Sequence, residues 1–296
     1  MTNVLTEADR FLLAARLEGY LGHNREAVQI LTEGLNHTPG DVRLLQLRGV
    51  KRLIARDVRG ALEDLDQAAA GLAGVPDEIE FYRTVIERDV INILLGRLGR
   101  IEAQHPVVDE ASAAATKHLS RGTLHASTWF HLGVARYLVR DFVSAGEAFE
   151  VSRSAALDDH QIVAALDWQF MSWQRAGMGD EAVWLLSHLD AVSYDPEQLD
   201  SPCVPNSLKG CYVQRLRMYR GELKPEDLLR RDTEDSLALA TLGYGVGNWY
   251  LSHGFTAAAR RSFDRVLELG DPTTLGYLAA EFEDQNCESR SFVSSP

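Results

Sequence analysis

The sequence predicts an all-α fold built from helical hairpins, on three observations. Over its 296 residues, Ala, Leu, Glu, Arg and Gln fill long segments in which apolar residues stand three and four apart. Runs of alternating β-branched residues, the signature of half-buried strands, are almost missing. Similar segments also return at a fixed period: Ala27 in "REAVQIL" and Ala61 in "RGALEDL" hold the same place in successive second helices, thirty-four residues apart, the mark of a solenoid of helix pairs.

The elements follow in order. In "FLLAARLEGYLGHNREAVQILTEGLNHTPGD" two amphipathic helices are separated by "LGHN", where Gly22 ends the first, Asn24 caps the second, and Pro39-Gly40 stops the pair. The next segment gives a helix to about Ala55, a turn around Arg56-Asp57, and a second helix through an Ala-rich run to Gly74. These pairs make an N-terminal region, 1–77. Residues 78–122 are helical by composition but carry no clear motif, and Pro106 breaks them; this is a degenerate repeat or an inserted segment. Residues 123–284 return to hairpins, interrupted by a Pro-rich loop at 191–207, with helices from about Leu208 to Arg220 and from Lys224-Pro225-Glu226. A last helix, "TTLGYLAAEFED", would cap the array. The aperiodic polar end, 285–296, is expected to be disordered.

"STWFHLGVARYLVRDFVSAGEAFE" places Trp129, Leu132, Gly133, Ala145 and Phe149 at the offsets of a known motif, W-x2-L-G-x2-Y followed by Ala and Phe. The expected aromatic falls one place late, at Tyr137, and Leu157 stands where the motif has Pro. The last copy supplies Gly247, Tyr250, Gly254, Ala259 and Phe263; the first supplies Gly22, Ala27 and Pro39; the second Gly49, Ala61 and Ala68; another Trp173, Gly177 and Ala182. On these residues the chain resembles the tetratricopeptide repeat family, including its bacterial members of unsettled role. The resemblance implies a right-handed α-solenoid of about five to six hairpins with a C-terminal capping helix. It also implies that the motif residues are core and that function lies on the concave face, lined by the first helix of each pair.

Composition narrows the possibilities. The formal net charge of −13, with no block of Lys or Arg, sets the whole-molecule field against phosphate backbones and anionic lipid, so neither nucleic acid nor membrane is expected as a partner. No stretch approaches the roughly 18 apolar residues of a membrane span. The first residues do not read as a secretion signal, and Cys203, Cys211 and Cys287 are too sparse for a disulfide framework; a reducing, cytoplasmic setting is expected.

No strict catalytic motif is present, and neither cofactor nor metal is expected. "GYGVG", Gly243 to Gly247, falls inside a predicted helix, where glycines serve close packing better than a phosphate cradle. His118, His125 and His131 are spaced by seven and six, not by the four that sets two ligands on one helical face. Asp158-Asp159-His160 reads as a helix cap, and Cys203 with Cys211 matches no redox motif.

Aromatics off the motif positions carry the functional expectation. Phe130, Tyr137, Trp168 and Tyr244, with Arg43, Asp167, Arg175 and Asn248, occupy first-helix places where the pattern puts the concave surface. Aromatics and Arg dominate interface energetics, so these eight form a candidate groove for a peptide or helix of a partner protein; the competing reading is that some complete the core. The family's carboxylate-reading positions hold Leu12, Arg16, Gln46 and Val50 in the first two copies, which does not match a chaperone-tail receptor. The leading expectation is therefore a non-catalytic interaction scaffold, with a homodimer possible. Its rivals are a ligand or peptide sensor and an enzyme using Asp167, His131 or Tyr244 as acid or base in a closed pocket.

Overall fold

A computed structural model describes residues 6–77, 122–157, 159–187, 208–229 and 235–293. Among the described residues there are thirteen helices and no extended strand. The expected segment at 78–121, the Pro-rich loop at 191–207, Asp158, and the side chains of His118, Cys203 and Cys287 lie outside the described residues. No helix among the described residues is long and apolar enough to cross a membrane.

The chain divides into two compact units: Met1–Leu132 with Ala155–Asp158, and Gly133–Ser154 with Asp159–Pro296. The first holds α1 (Glu7–Tyr20), α2 (Asn24–His37), α3 (Val42–Ile54), α4 (Val58–Gly71) and the start of α5 (Leu124–Leu138). Three of the starts are fixed by side chains. Thr6 and Asp9 exchange side-chain and backbone hydrogen bonds at the head of α1, Asp41 accepts from two amides of α3, and Asp57 accepts from Gly60 N in α4. Ala8, Leu12 and Ala15 of α1 interlock with Ala27 and Leu31 of α2 and Leu44 and Leu47 of α3, the spacing of one helical face. Asp64, enclosed on α4, accepts from both Arg48 and Arg52 of α3. It ties the second hairpin along its length.

The second unit holds the rest of α5, α6 (Phe142–Ala155), α7 (Asp159–Arg175), α8 (Gly179–Leu185), α9 (Leu208–Tyr219), α10 (Pro225–Leu228), α11 (Ser236–Ser252), α12 (Thr256–Leu269) and α13 (Leu275–Val293). Here α7 packs on α8, α9 and α11, while α11 also packs on α9, α12 and α13. Both central helices are enclosed nearly all round: every residue from Val163 to Trp173 and from Ala238 to Asn248 is buried. α13 runs to Val293, past the boundary at 285 where the sequence suggests disorder.

One turn recurs through both units. At Gly22, Arg56, Arg140, Gly177, Gly221 and Gly254 the backbone enters the left-handed region, with φ between 67° and 82°. Each time, that residue's N–H donates to the carbonyl three residues back, and the next N–H donates to the carbonyl five back from itself. This is the Schellman closure of a helix C-terminus. Four of the six positions are Gly, which adopts this conformation without strain; Arg56 and Arg140 adopt it at a cost. After the first turn the next helix is entered through His23, with Asn24 its first residue, so Asn24 is not the cap the sequence suggests.

A second contact recurs inside the hairpins. A Cβ placed on Gly49 would lie 2.6 Å from Leu65, on Gly133 2.8 Å from the Phe149 ring, and on Gly247 2.3 Å from the Phe263 ring. The glycine and the side chain filling its gap are sixteen residues apart each time. Close approach of the paired helices at a small residue is what the motif glycines provide.

Candidate functional site

The site is built in the second unit, where five of the eight groove residues turn out to be interior. Tyr137, Trp168, Asp167, Tyr244 and Asn248 are all buried, so the expectation that they line an exposed surface does not hold. The aromatics stack into one ladder. Phe149 and Trp168 have ring centroids 6.0 Å apart, Trp168 and Tyr244 5.9 Å, and Tyr244 and Phe263 5.6 Å, with Tyr137 edge-on to Trp168 at 5.3 Å. The motif residues Phe149 and Phe263 stand at the ends, and the off-motif aromatics fill the space between them. The sequence carried a partial signal of this: "LALATLGYGVG" is apolar on nearly every face and "IVAALDWQFMSW" sets large apolar residues on all faces around Asp167, Gln169 and Ser172, close to the pattern of a helix buried all round.

From this core a polar chain leads outward. Tyr244 Oη donates to Tyr137 Oη at 2.8 Å, and Tyr137 Oη donates to Asn248 Oδ1 at 3.2 Å. Arg175 Nη1 donates to the same Asn248 oxygen at 3.2 Å and to Glu283 Oε1 at 2.7 Å. Burial pushes both phenols above their ordinary range, so they remain protonated donors. Burial opposes the charge on Arg175, but Tyr137, Tyr244 and Glu283 outweigh it and hold the guanidinium's pKa above its ordinary value.

At its outer end the chain meets a pocket of about 410 Å³. Its wall comes from the α5–α6 turn (Arg140), the end of α7 (Gln174, Arg175), the end of α11 (Leu251, Ser252), α12 (Thr256, Ala259, Arg260, Phe263, Asp264) and α13 (Glu283, Asp284). Glu283 accepts from Arg140 at 3.4 Å as well as from Arg175, and Phe142 lies under both guanidinia, at 5.5 Å and 4.8 Å. Arg260 reaches Asp284 at 3.4 Å. Of the eight expected residues, Arg175 therefore lines this pocket, with Asn248 and Tyr137 behind it. The sequence reading missed Arg140, Arg260 and Glu283, which belong to the α5–α6 turn, α12 and α13 rather than to the first-helix positions searched.

A second polar cluster is sealed beneath. Arg215 and Asp167 are fully enclosed, with Nη2 and Oδ2 at 2.8 Å. The alignment is not that of a hydrogen bond, and Arg215 spends its donors on Thr241 O, Tyr219 Oη and Met171 Sδ. Gly245 makes room for it: a Cβ there would lie 2.2 Å from Arg215 Nε. Burial, only partly offset by Arg215, pushes the Asp167 carboxyl up to about 7, and burial pushes the Cys211 thiol to about 12. Neither Asp167 nor Tyr244 lines the pocket.

The remaining expected residues lie in the first unit. Arg43 donates to Asp9 at 2.9 Å and pairs with Asp41, binding α3 to the start of α1. Phe130 is half-buried and meets His131 edge-on at 5.4 Å. His131 Nδ1 donates to Ser127 O at 2.8 Å, burial lowers its pKa, and His125 Nε2 bonds Val75 O. Gln46 is buried and donates to Ser127 Oγ, and Leu12 is core. Among the described residues no group of three His, Cys, Asp or Glu side chains is placed to hold a metal. "GYGVG" lies within α11, its glycines against Val266, Arg215 and Phe263.

No protein-family model matches the chain, and no curated protein matches it.

Proposed function

We propose that this protein is a non-catalytic interaction scaffold: a right-handed solenoid of about five to six tetratricopeptide-like hairpins, ended by α13, that binds a segment of a partner protein. The observation that carries the reading is the recurrence of one hairpin geometry, the six identical helix closures together with the glycine-to-side-chain contact at sixteen residues. Repeated hairpins stack into a preorganised surface, and a rigid surface binds a peptide with little ordering cost on its own side. The burial of Tyr137, Trp168 and Tyr244 moves the proposed contact from the ladder to the pocket at its outer end, where arginines, a phenylalanine and hydroxyls converge.

The experiment is affinity capture from the native cell with wild type beside Arg260→Glu, a change at a side chain 59% exposed on the pocket rim and so tolerated by the fold. A protein held by wild type and lost by the variant supports the scaffold and its site. Equal capture by both moves the contact off this pocket, and recovery of a small molecule with no protein favours the sensor.

A further inference from the structure

The feature left unexplained is Arg140. It stands at φ 67° in a turn that uses Gly at four of its six occurrences. A left-handed non-glycine residue costs about 1–2 kcal/mol; Arg56 bears the same cost at the equivalent turn, and Arg140 is set apart by what its side chain reaches. Arg140 places its guanidinium over the Phe142 ring and against Glu283 Oε2 at 3.4 Å, while Arg175 donates to both carboxylate oxygens, at 2.7 Å and 3.4 Å, and lies over the same ring. Two guanidinia flanking one aromatic ring converge on a single carboxylate, at the edge of an open pocket. The carboxylate belongs to this chain's own last helix.

We propose that Arg140, Arg175 and Phe142 form a carboxylate-binding subsite that Glu283 occupies as an internal competitor, and that an acidic side chain of a partner peptide enters by exchanging with it. The proposal rests on the scaffold reading and names the partner chemistry of that site.

The charges around the pocket balance while Glu283 is in place. Arg140, Arg175 and Arg260 face Glu283, Asp264 and Asp284 around the pocket, so withdrawal of Glu283 leaves one net positive charge for an incoming anion. Arg140 is 36% exposed while Arg175 is 8% exposed, so a peptide carboxylate meets Arg140 first and reaches Arg175 as Glu283 leaves. The chain's overall charge of −13 opposes acidic ligands at long range, but at physiological salt that field is screened beyond about 8 Å. Within the pocket the contact geometry decides. Wild type should therefore bind acidic peptides weakly, with Glu283 limiting the affinity.

The test uses the full chain and a fluorescein-labelled Glu-rich dodecapeptide, with its Gln-for-Glu counterpart as control, read by anisotropy beside thermal unfolding. Glu283→Gln, which keeps the shape and removes the competing charge, should bind the acidic peptide about ten-fold more tightly than wild type and leave the control peptide unaffected. Glu283→Asp draws the carboxylate back by one methylene and should move affinity the same way, giving a second reading if the Gln variant folds poorly. Adding Arg140→Gly to Glu283→Gln should return affinity to the wild-type level or below while the melting temperature holds or rises, because the strain is relieved. A merely structural arginine would not separate those two readouts. Equal binding by wild type and both Glu283 variants, or equal binding of acidic and neutral peptides, overturns the exchange. Capture of a native partner that is indifferent to Glu283 sinks the exchange alone, whereas peptide exchange with no native protein captured sinks the scaffold reading alone.

Discussion

Arg215 Nη2 lies 2.8 Å from Asp167 Oδ2 with both side chains fully enclosed between α7, α9 and α11. Two opposite charges at that distance in a dry interior attract strongly, yet each has lost its hydration, and the loss can exceed the attraction. Asp167 shows which effect wins for the carboxyl. Neither of its oxygens accepts an aligned hydrogen bond, and burial carries its pKa up to about 7 with Arg215 beside it.

A raised carboxyl pKa has a definite consequence for stability. Between about pH 4 and pH 7 the folded chain keeps a proton on Asp167 that the unfolded chain has released, so this group's contribution is fully present below about 4 and is lost as pH rises through 7. Measured by urea unfolding, wild type should lose stability relative to Asp167→Asn across that window, by on the order of a few kcal/mol. A gain of wild type over the variant with rising pH would show that attraction to Arg215 outweighs burial. At pH 8 Arg215→Met strips the partner from an ionised buried carboxylate and should cost about 3–5 kcal/mol.

Arg56 offers a cleaner test of backbone strain than Arg140, because it does not line the pocket that Arg140 borders. Its φ of 69° falls at the same closure where Gly22, Gly177, Gly221 and Gly254 sit. Arg56→Gly should stabilise the first unit by about 1 kcal/mol, the left-handed cost less the added freedom of the unfolded chain. The mirror change, Gly254→Ala, should destabilise the second by a similar amount. Unchanged melting for both variants would remove the argument from strain on which the role of Arg140 depends.

The helices and their closures were legible because they rest on local chemistry. Gly22, Gly177 and Gly254 end helices for a reason one residue carries by itself, and Asp57 at a helix start likewise. The destination of Trp168 and Tyr244 was not legible from position in a repeat, since first-helix placement says nothing of what α9 and α13 cover. It was partly legible from their own surroundings: both sit in segments with apolar residues on all faces, although Asp167 and Gln169 flank Trp168, and that signal outranked the offset. Arg140 and Glu283 are far apart in sequence, so no local pattern could have joined them, and Arg140 drew no notice because a turn arginine reads as solvated.

The recurrent glycine contact can be tested by restoring what it excludes. A Cβ on Gly247 would lie 2.3 Å from the Phe263 ring, which also stacks against Tyr244 at 5.6 Å. Gly247→Ala should therefore destabilise the chain by about 1–3 kcal/mol through overpacking, although alanine is intrinsically the better helix former. Phe263→Leu alone opens a gap at the end of the aromatic ladder and should also destabilise. In the double variant the new methyl occupies space the ring has vacated, so the two costs should fall short of additivity by 0.5 kcal/mol or more, a coupling expected only of groups in contact. Gly133→Ala with Phe149→Leu should behave in the same way, because there too a ring sixteen residues on fills the glycine's gap. Additive costs in both pairs would mean that the helices part to admit the methyl group, and that small residues do not set the spacing of the hairpins.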